Sequence, residues 1–389
     1  MSEIRSQMTG AKTEKNMTEK GVSGKEPGIR LTGLDGIRAW AILLVVGQHT
    51  GLLPESGSAS IPLFFLLSGF FTAWSSREEG PEERFLRPKA WLTYYIGRLF
   101  RIIPLYYVCI FFFWFFYPGI CFAGQDVVLK HMTFFEVGVH FWFLQQEIVM
   151  YLFAPLILCG LALIGKLFRD KKNLKEMVYI ILLLAAAAWA KLSPVIYLNG
   201  NGERMVFRIY IFMMGMAVAY FCRIVLRHKW NFSRSAAKGM TVLGNLIILG
   251  AFVFTLASTP VILTHFGVTE WEPNFVFTHD IRYCINGMVW IGAATLCRRG
   301  PVAKFFGNGV FRRLSERSYG IYLFHFLLML GLGNCPEGIR LFLLDLFLSW
   351  LIAEFMYALV EKPIGDFGRH LSVRRLGRDY KDLFTKFAR

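Results

Sequence analysis

The chain has 389 residues, of which 55% are hydrophobic, 38 are phenylalanine and only 18% are charged. This composition excludes an ordinary soluble protein and indicates a polytopic membrane protein. The net charge of +16 does not indicate a nucleic-acid partner, because the basic residues lie in short segments between apolar spans and not on one folded domain. We therefore expect an all-α transmembrane helical bundle in contact with the lipid bilayer, and no nucleic-acid partner.

Apolar stretches of about the length needed to cross ~30 Å of hydrocarbon follow one another from residue 34 onward. Of the 43 Lys and Arg residues, 36 lie in the two tails and in every second connecting segment, which predicts that both termini are cytoplasmic. The ten predicted spans are residues 34–53, 61–76, 99–118, 141–164, 177–193, 205–225, 240–258, 280–297, 316–333 and 340–361.

The chain divides into a membrane domain and two polar tails. Residues 1–33 are polar and lack the apolar core of a signal peptide, which favours a disordered cytoplasmic tail. The membrane domain covers residues 34–363, and residues 364–389 form a basic, amphipathic cytoplasmic tail. Residues 84–97 mix basic and aromatic side chains in a way that is typical of a helix lying on a membrane surface.

The first span, LDGIRAWAILLVVGQHT, carries Arg38 and His49. Eleven residues correspond to about three helical turns, so the two side chains share a face and are separated by ~16 Å of rise. A charge or an imidazole inside a bilayer costs several kcal/mol unless it is paired or hydrated, which makes both residues functional candidates. The alternative is that Arg38 marks the cytoplasmic edge and that His49 is a hydrogen-bonded packing residue.

The second and third spans add small residues and two arginines. Ser68 and Gly69 interrupt an aromatic run in the second span, where we expect close helix packing. In the third span, GRLFRIIPLYY, Arg98 and Arg101 share a face near the start of the helix, an arrangement that suits phosphate. The positive-inside rule also supplies arginines at this position, so both interpretations stay open.

The fourth span begins HFWFLQQEIVMYLFAPL, with His140, Glu147 and Tyr151 at spacings of seven and four on one face. A carboxylate inside a membrane helix needs a partner, which is either His140 or a polar group on a neighbouring helix. In the ninth span, RSYGIYLFHF, Tyr322 and His325 share a face, and we expect His325 at roughly the depth of His49. The seven cysteines show no metal-type spacing, so we expect no metal site.

Taken in order, the motifs resemble the acyltransferase 3 family of membrane O-acyltransferases over nearly all of residues 33–363. The matching motifs are LDGIRAW, FFLLSGF, RLFRIIP, HFWFLQQE followed by YLFAP, SYGIYLFH and VEKP. The resemblance implies that His49 is the essential histidine and that Arg38, Arg98 and Arg101 belong to donor-side motifs. It also implies transfer of an acyl group, usually acetyl from cytoplasmic acetyl-CoA, to a hydroxyl of a cell-surface glycan or related acceptor.

The resemblance further implies a multi-pass protein of the bacterial plasma membrane. Some members of the family carry an additional extracytoplasmic hydrolase-like domain, and we expect that any relay of this kind would use a separate partner here. The competing hypothesis is a transporter, in which the His and Glu residues inside the membrane relay protons. The sequence shows no inverted repeat, and it has no glycine or proline breaks at corresponding positions of two halves. Both features would be expected of a transporter of this kind, so the sequence does not favour transport.

Acyl transfer from a thioester to an alcohol needs a base, a donor of hydrogen bonds to the oxyanion and a grip on the acyl donor. We predict that His49 is the base or is itself transiently acylated, and that Glu147 orients it. Arg38, Arg98 and Arg101 are predicted to bind the phosphates of the donor. The candidate donors to the oxyanion are Tyr151, Tyr322 and His325.

Overall fold

The protein is described by a computed structural model, and its described part is mostly helical, with one short pair of antiparallel strands. The described residues are 31–54, 56–74, 81–121, 125–135, 137–168, 170–198, 204–228, 230, 233–259 and 275–376. Most of the predicted disordered tail, residues 1–30, and the end of the predicted basic tail, residues 377–389, lie outside this set.

The membrane domain consists of long helices joined by short turns, and we number the helices in chain order. They are α1 (Thr32–His49), α2 (Gly57–Ala73), α3 (Pro88–Phe116), α4 (Pro118–Cys121), α5 (Gln125–Met132), α6 (Trp142–Gly165), α7 (Lys172–Leu192), α8 (Ile209–Arg227), α9 (Arg234–Ala257), α10 (Phe275–Leu296), α11 (Pro301–Phe306), α12 (Gly309–Gly331), α13 (Ile339–Met356) and α14 (Lys362–Leu376).

Short irregular elements connect several of these helices. Strands β1 (Ile196–Leu198) and β2 (Arg204–Val206) form an antiparallel pair in which Ile196 lies opposite Val206. Tight 3-10 turns cover Pro81–Leu86, Val139–Phe141 and Lys166–Phe168, and a π-helical turn, Tyr357–Glu361, joins α13 to α14.

The apolar helices confirm the predicted all-α membrane class. Each predicted span coincides with a described helix, whereas ten crossings and cytoplasmic termini remain predictions. Helix α2 is a shorter apolar helix. In the described part of the chain, six stretches are long and apolar enough to cross a bilayer: Pro88–Phe116, Val139–Phe168, Lys172–Leu192, Ile209–Arg227, Arg234–Ala257 and Ile339–His370.

The predicted surface helix over residues 84–97 is not a separate element. Its first residues lie in the 3-10 turn Pro81–Leu86, and the rest is the beginning of α3. Pro88 stands at the first helical position, where its fixed φ favours helix initiation, and the helix then continues without interruption into the third span. Arg98 and Arg101 are consequently more than two turns inside a single long helix.

Helix α1 is held at the centre of the bundle by close contacts. Its Gly36 leaves no room for a side chain, since an added Cβ would lie 2.6 Å from Cβ of Phe306 on α11. Near the same end, the Ser315 hydroxyl of α12 donates to Asp35 at 3.3 Å. Because α1 and α12 run parallel, the other end of α1 is brought beside the later residues of α12, where His325 lies.

A buried ion network fixes the segment between α2 and α3 to α7 and α8. The fully buried carboxylate of Glu82 accepts a hydrogen bond from the Tyr220 hydroxyl at 3.1 Å and lies 3.7 Å from Arg223. Arg223 also pairs with Glu176 at 2.9 Å. Burial raises the pKa of Glu82, and the charges of Arg223 and Lys175 partly oppose that shift.

Candidate functional site

Two histidines from α1 and α12 meet inside the bundle. Nε2 of His325 lies 3.3 Å from Nδ1 of His49, and the two rings are 5.0 Å apart in an edge-to-face arrangement. His325 is fully buried, whereas His49 is partly exposed. The expectation that both imidazoles lie at one depth is consistent with this contact, and the parallel register of α1 and α12 explains it.

The backbone carbonyls around the pair define which nitrogen of each ring carries a proton. Nδ1 of His325 is 2.7 Å from the Tyr322 carbonyl, so this nitrogen must be an N–H and Nε2 holds a lone pair. Nδ1 of His49 is 2.9 Å from the Val45 carbonyl, so it is also an N–H, and it donates a second, longer bond towards Nε2 of His325. These assignments leave Nε2 of His49 with a lone pair, which is the state a general base requires.

A third histidine lies beside the pair. The His140 ring is 5.2 Å from the His325 ring and is stacked on Phe326 at 5.3 Å. The Tyr322 hydroxyl donates a hydrogen bond to the His140 carbonyl. We refer to His49, His140 and His325 as the histidine cluster. In the described part of the chain, no group of His, Cys, Asp and Glu residues could hold a metal ion.

Glu147 is bound by hydroxyl groups and not by a histidine. Its Oε1 accepts hydrogen bonds from Ser68 of α2 at 2.7 Å and from Tyr151 at 2.8 Å. Of the two partners considered from the sequence, the neighbouring helix is therefore correct and His140 is wrong. Packing was expected at Ser68 and Gly69, and Gly69 does pack against α8, whereas Ser68 bonds to this carboxylate.

The Arg98 guanidinium lies next to this hydroxyl pair. It stacks over the Tyr151 ring at 4.3 Å and approaches the Tyr151 hydroxyl and the Thr72 hydroxyl at 3.5 Å each. A chain of contacts therefore runs from Arg98 through Tyr151 to Glu147. The stacking holds the planar guanidinium in one orientation, which favours recognition of a planar or tetrahedral oxyanion.

The other two predicted arginines belong to the same region. Arg38 lies over the Phe71 ring at 5.2 Å, and the charges of Arg101 and Glu147 act on it. Arg101 is exposed. The structure thus brings Arg38, Arg98 and Arg101 to one basic region, which we call the arginine cluster, and this region lies towards the opposite end of α1 from the histidine cluster.

Glu361 is a polar residue of this region that received no role from the sequence. It is the last residue of the π-helical turn, and the charges of Arg101 and Arg317 act on its carboxylate. Single π-helical turns within α-helices are frequent at functional sites. The sequence signal that could have identified Glu361 is the motif VEKP, which contains it.

The sequence is similar to those of known proteins. The sequence model of the acyltransferase 3 family, described as an acyltransferase domain, matches residues 31–357. Similar proteins include the O-acetyltransferase OatA of Staphylococcus aureus, which is 22% identical over 369 residues, covering 86% of this chain and 57% of the relative. The peptidoglycan O-acetyltransferase OatA of Listeria monocytogenes is 24% identical over 373 residues, covering 85% of this chain and 55% of the relative.

This chain spans a little over half the length of these relatives. No solved structure shows significant similarity to it. The family match covers most of the chain, including both the arginine cluster and the histidine cluster. The chain therefore belongs to the acyltransferase 3 family, as its motifs predicted.

Proposed function

We propose that this protein is a membrane O-acyltransferase that moves an acetyl group from cytoplasmic acetyl-CoA to a hydroxyl of a cell-surface glycan. The observation that carries the proposal is the hydrogen-bond pattern of His49, which leaves Nε2 with a lone pair while Nδ1–H is held by Val45 and His325. A base prepared in this way is what the transfer to an alcohol requires.

His49 acts on the acceptor. Its Nε2 takes the proton of the acceptor hydroxyl as the oxygen attacks the thioester carbonyl carbon. The carbon–sulfur bond then breaks, and the sulfur of the leaving group takes the proton from His49, giving the ester and free CoA thiol. His325 is a positioning residue in this scheme, because its Nε2 stabilises the N–H on Nδ1 of His49. The role first expected of Glu147 as orienter of His49 thus passes to His325.

The arginine cluster would hold the donor. Arg98, fixed by stacking on Tyr151, and the exposed Arg101 offer guanidinium groups that suit the phosphates of CoA. About 16 Å of helical rise separates Arg38 from His49 along α1, so an extended donor chain could connect phosphate binding at one end with chemistry at the other. Glu147 and Tyr151 then serve this site by orienting Arg98.

The acceptor assignment rests on the relatives. The Listeria monocytogenes protein is named a peptidoglycan O-acetyltransferase, which supports a glycan hydroxyl as the acceptor class here. The basic segments place the arginine cluster on the cytoplasmic side in the predicted topology, and the acceptor would then approach the histidine cluster from the outer side.

The test is acetyl transfer by membranes that contain wild-type protein or the His49→Ala variant. Membranes are incubated with acetyl-CoA labelled in the acetyl group, and the glycan, lipid and protein fractions are separated. The wild type should place alkali-labile label in the glycan fraction, and His49→Ala should not, at equal amounts of inserted protein. Equal labelling by both would refute the proposal.

Transport is separated from acyl transfer by the requirement for a gradient. Purified protein in detergent holds no ion gradient, so an acyltransferase should still release CoA from acetyl-CoA when an acceptor is supplied. Acetylation that occurs only in sealed, energised vesicles would favour the transporter hypothesis instead.

A further inference from the structure

His140 is a buried imidazole to which no role has been given above. It is 5% exposed, and its ring contacts His325 on one side and Phe326 on the other. His140 was one of the two partners that the sequence offered for Glu147, but Ser68 and Tyr151 bind that carboxylate. His140 therefore lies in the histidine cluster and not against Glu147.

The nitrogens of His140 have no partner of suitable hydrogen-bond geometry among the described residues. The carbonyls of Tyr322 and Leu323 lie near the ring, but neither is aligned for a hydrogen bond of standard geometry with its nitrogens. They also accept side-chain hydrogen bonds from Nδ1 of His325 at 2.7 Å and from Sγ of Cys109 at 3.1 Å respectively. A buried N–H without a well-aligned acceptor is unfavourable by about 1–3 kcal/mol, and a bound molecule would supply that acceptor to His140.

The backbone holds His140 in place despite local strain. Val139 has φ of 55°, a left-handed conformation that is rare for a β-branched residue. The loop before it is fixed by His131, whose Nδ1 bonds to the Val127 carbonyl at 2.8 Å and whose Nε2 accepts from the Gly138 amide at 2.9 Å. Strain of this kind persists where the surrounding structure enforces it, and it is concentrated at functional sites.

The other groups that are candidate donors to the oxyanion are already engaged. The Tyr151 hydroxyl donates to Glu147, the Tyr322 hydroxyl donates to the His140 carbonyl, and Nδ1–H of His325 donates to the Tyr322 carbonyl. These are the three groups that the sequence offered as donors to the oxyanion. Of the polar side chains in the histidine cluster, His140 is the one whose N–H remains available.

We propose that His140 is a further catalytic residue, which donates a hydrogen bond to the carbonyl oxygen of the thioester. As the acceptor oxygen adds to the carbonyl carbon, the π electron pair of the carbonyl moves onto its oxygen, and the N–H of His140 stabilises the negative charge there. The pair returns when the carbon–sulfur bond breaks and the thiolate takes the proton from His49. This role rests on the proposed function.

The experiment uses acetyl-CoA that is labelled with ¹³C at the acetyl carbonyl. Its infrared carbonyl stretch is recorded when it is bound to the purified full-length protein and no acceptor is present. A hydrogen bond to the carbonyl lowers its frequency, so the wild type should shift the band downward. His140→Phe keeps the ring and removes both nitrogens, and it should lose this shift. With an acceptor present, its kcat should fall about 10²–10³-fold with little change in the KM for acetyl-CoA.

Trp290→Phe is the matched control, because it removes a fully buried N–H without a hydrogen-bond partner from α10, outside the histidine cluster. It should keep the carbonyl shift, whatever its effect on thermal stability. His140→Met, which fills a similar space without an N–H, replaces His140→Phe if the latter does not fold. The same carbonyl frequency in the wild type and the His140 variant overturns this role alone. Failure of the wild type to bind acetyl-CoA overturns both this role and the proposed function.

Discussion

Replacement of His325 by Phe tests whether this residue positions His49 or reacts itself. In the structure, Nδ1–H of His49 has two acceptors, the Val45 carbonyl at 2.9 Å and Nε2 of His325 at 3.3 Å. The substitution removes the longer of these bonds and leaves the shorter one. Since a neutral hydrogen bond contributes about 0.5–1.5 kcal/mol, kcat should fall only about two- to tenfold.

Removing the base itself should lower kcat much more. General-base catalysis contributes about 10²–10⁴-fold, so the kcat of His49→Ala should fall by at least about 10²-fold. His325→Gln keeps a side-chain oxygen that can accept the Nδ1–H of His49, and it should therefore retain more activity than His325→Phe. The assay is the release of free thiol from acetyl-CoA by purified protein, with thermal unfolding recorded for each variant because His325 is fully buried.

Two results would refute this reasoning about His325. If His325→Phe were as inactive as His49→Ala while remaining folded, His325 would take part in the chemistry directly. If His325→Phe retained the wild-type kcat and the wild-type pH–rate profile, the contact between the two imidazoles would have no positioning role.

Further predictions concern the arginine cluster and the packing around it. Arg98→Lys cannot stack on Tyr151 as a plane, so the KM for acetyl-CoA should rise about tenfold with a smaller change in kcat. Tyr151→Phe keeps the ring and should raise the same KM by a smaller factor. Gly36→Val forces a side chain against Phe306 and should lower the thermal midpoint of unfolding. For Glu82, the raised pKa means that the folded state binds the proton more tightly than the unfolded state, so stability should fall as pH rises from the ordinary carboxyl pKa to the raised value. That pH dependence of stability should be absent from Glu82→Gln. An unchanged KM for acetyl-CoA in Arg98→Lys and Tyr151→Phe would contradict the role of the stacked guanidinium. An unchanged thermal midpoint of unfolding in Gly36→Val, or the wild-type pH dependence of stability in Glu82→Gln, would contradict the other two arguments.

Helix positions and helix faces were predictable because hydropathy and the 3.6-residue period determine them locally. Arg38 and His49 lie towards opposite ends of α1, and His325 of α12 contacts His49, as a shared depth would require. Depth follows from counting residues along a straight helix. The same counting could not reveal that His325 is the hydrogen-bond partner of His49, because that contact depends on how α1 and α12 rotate against each other.

The alternative that paired His140 with Glu147 fails for a definite physical reason. A shared face for His140 and Glu147 assumes one continuous α-helix, but α6 begins at Trp142 and His140 lies in the preceding 3-10 turn. The left-handed backbone at Val139 redirects this turn, and the ring enters the histidine cluster instead. The bond from Ser68 to Glu147 was also not predictable, since it depends on the packing of α2 against α6.

Release of CoA thiol by purified protein is the measurement that tests the central claim most directly. Wild type and His49→Ala are compared at equal concentration in detergent, with acetyl-CoA, a glycan acceptor and no ion gradient. We predict acceptor-dependent thiol release by the wild type and a loss of at least about 10²-fold in His49→Ala, with thermal stability preserved. Thiol release by folded His49→Ala at the wild-type rate would contradict it.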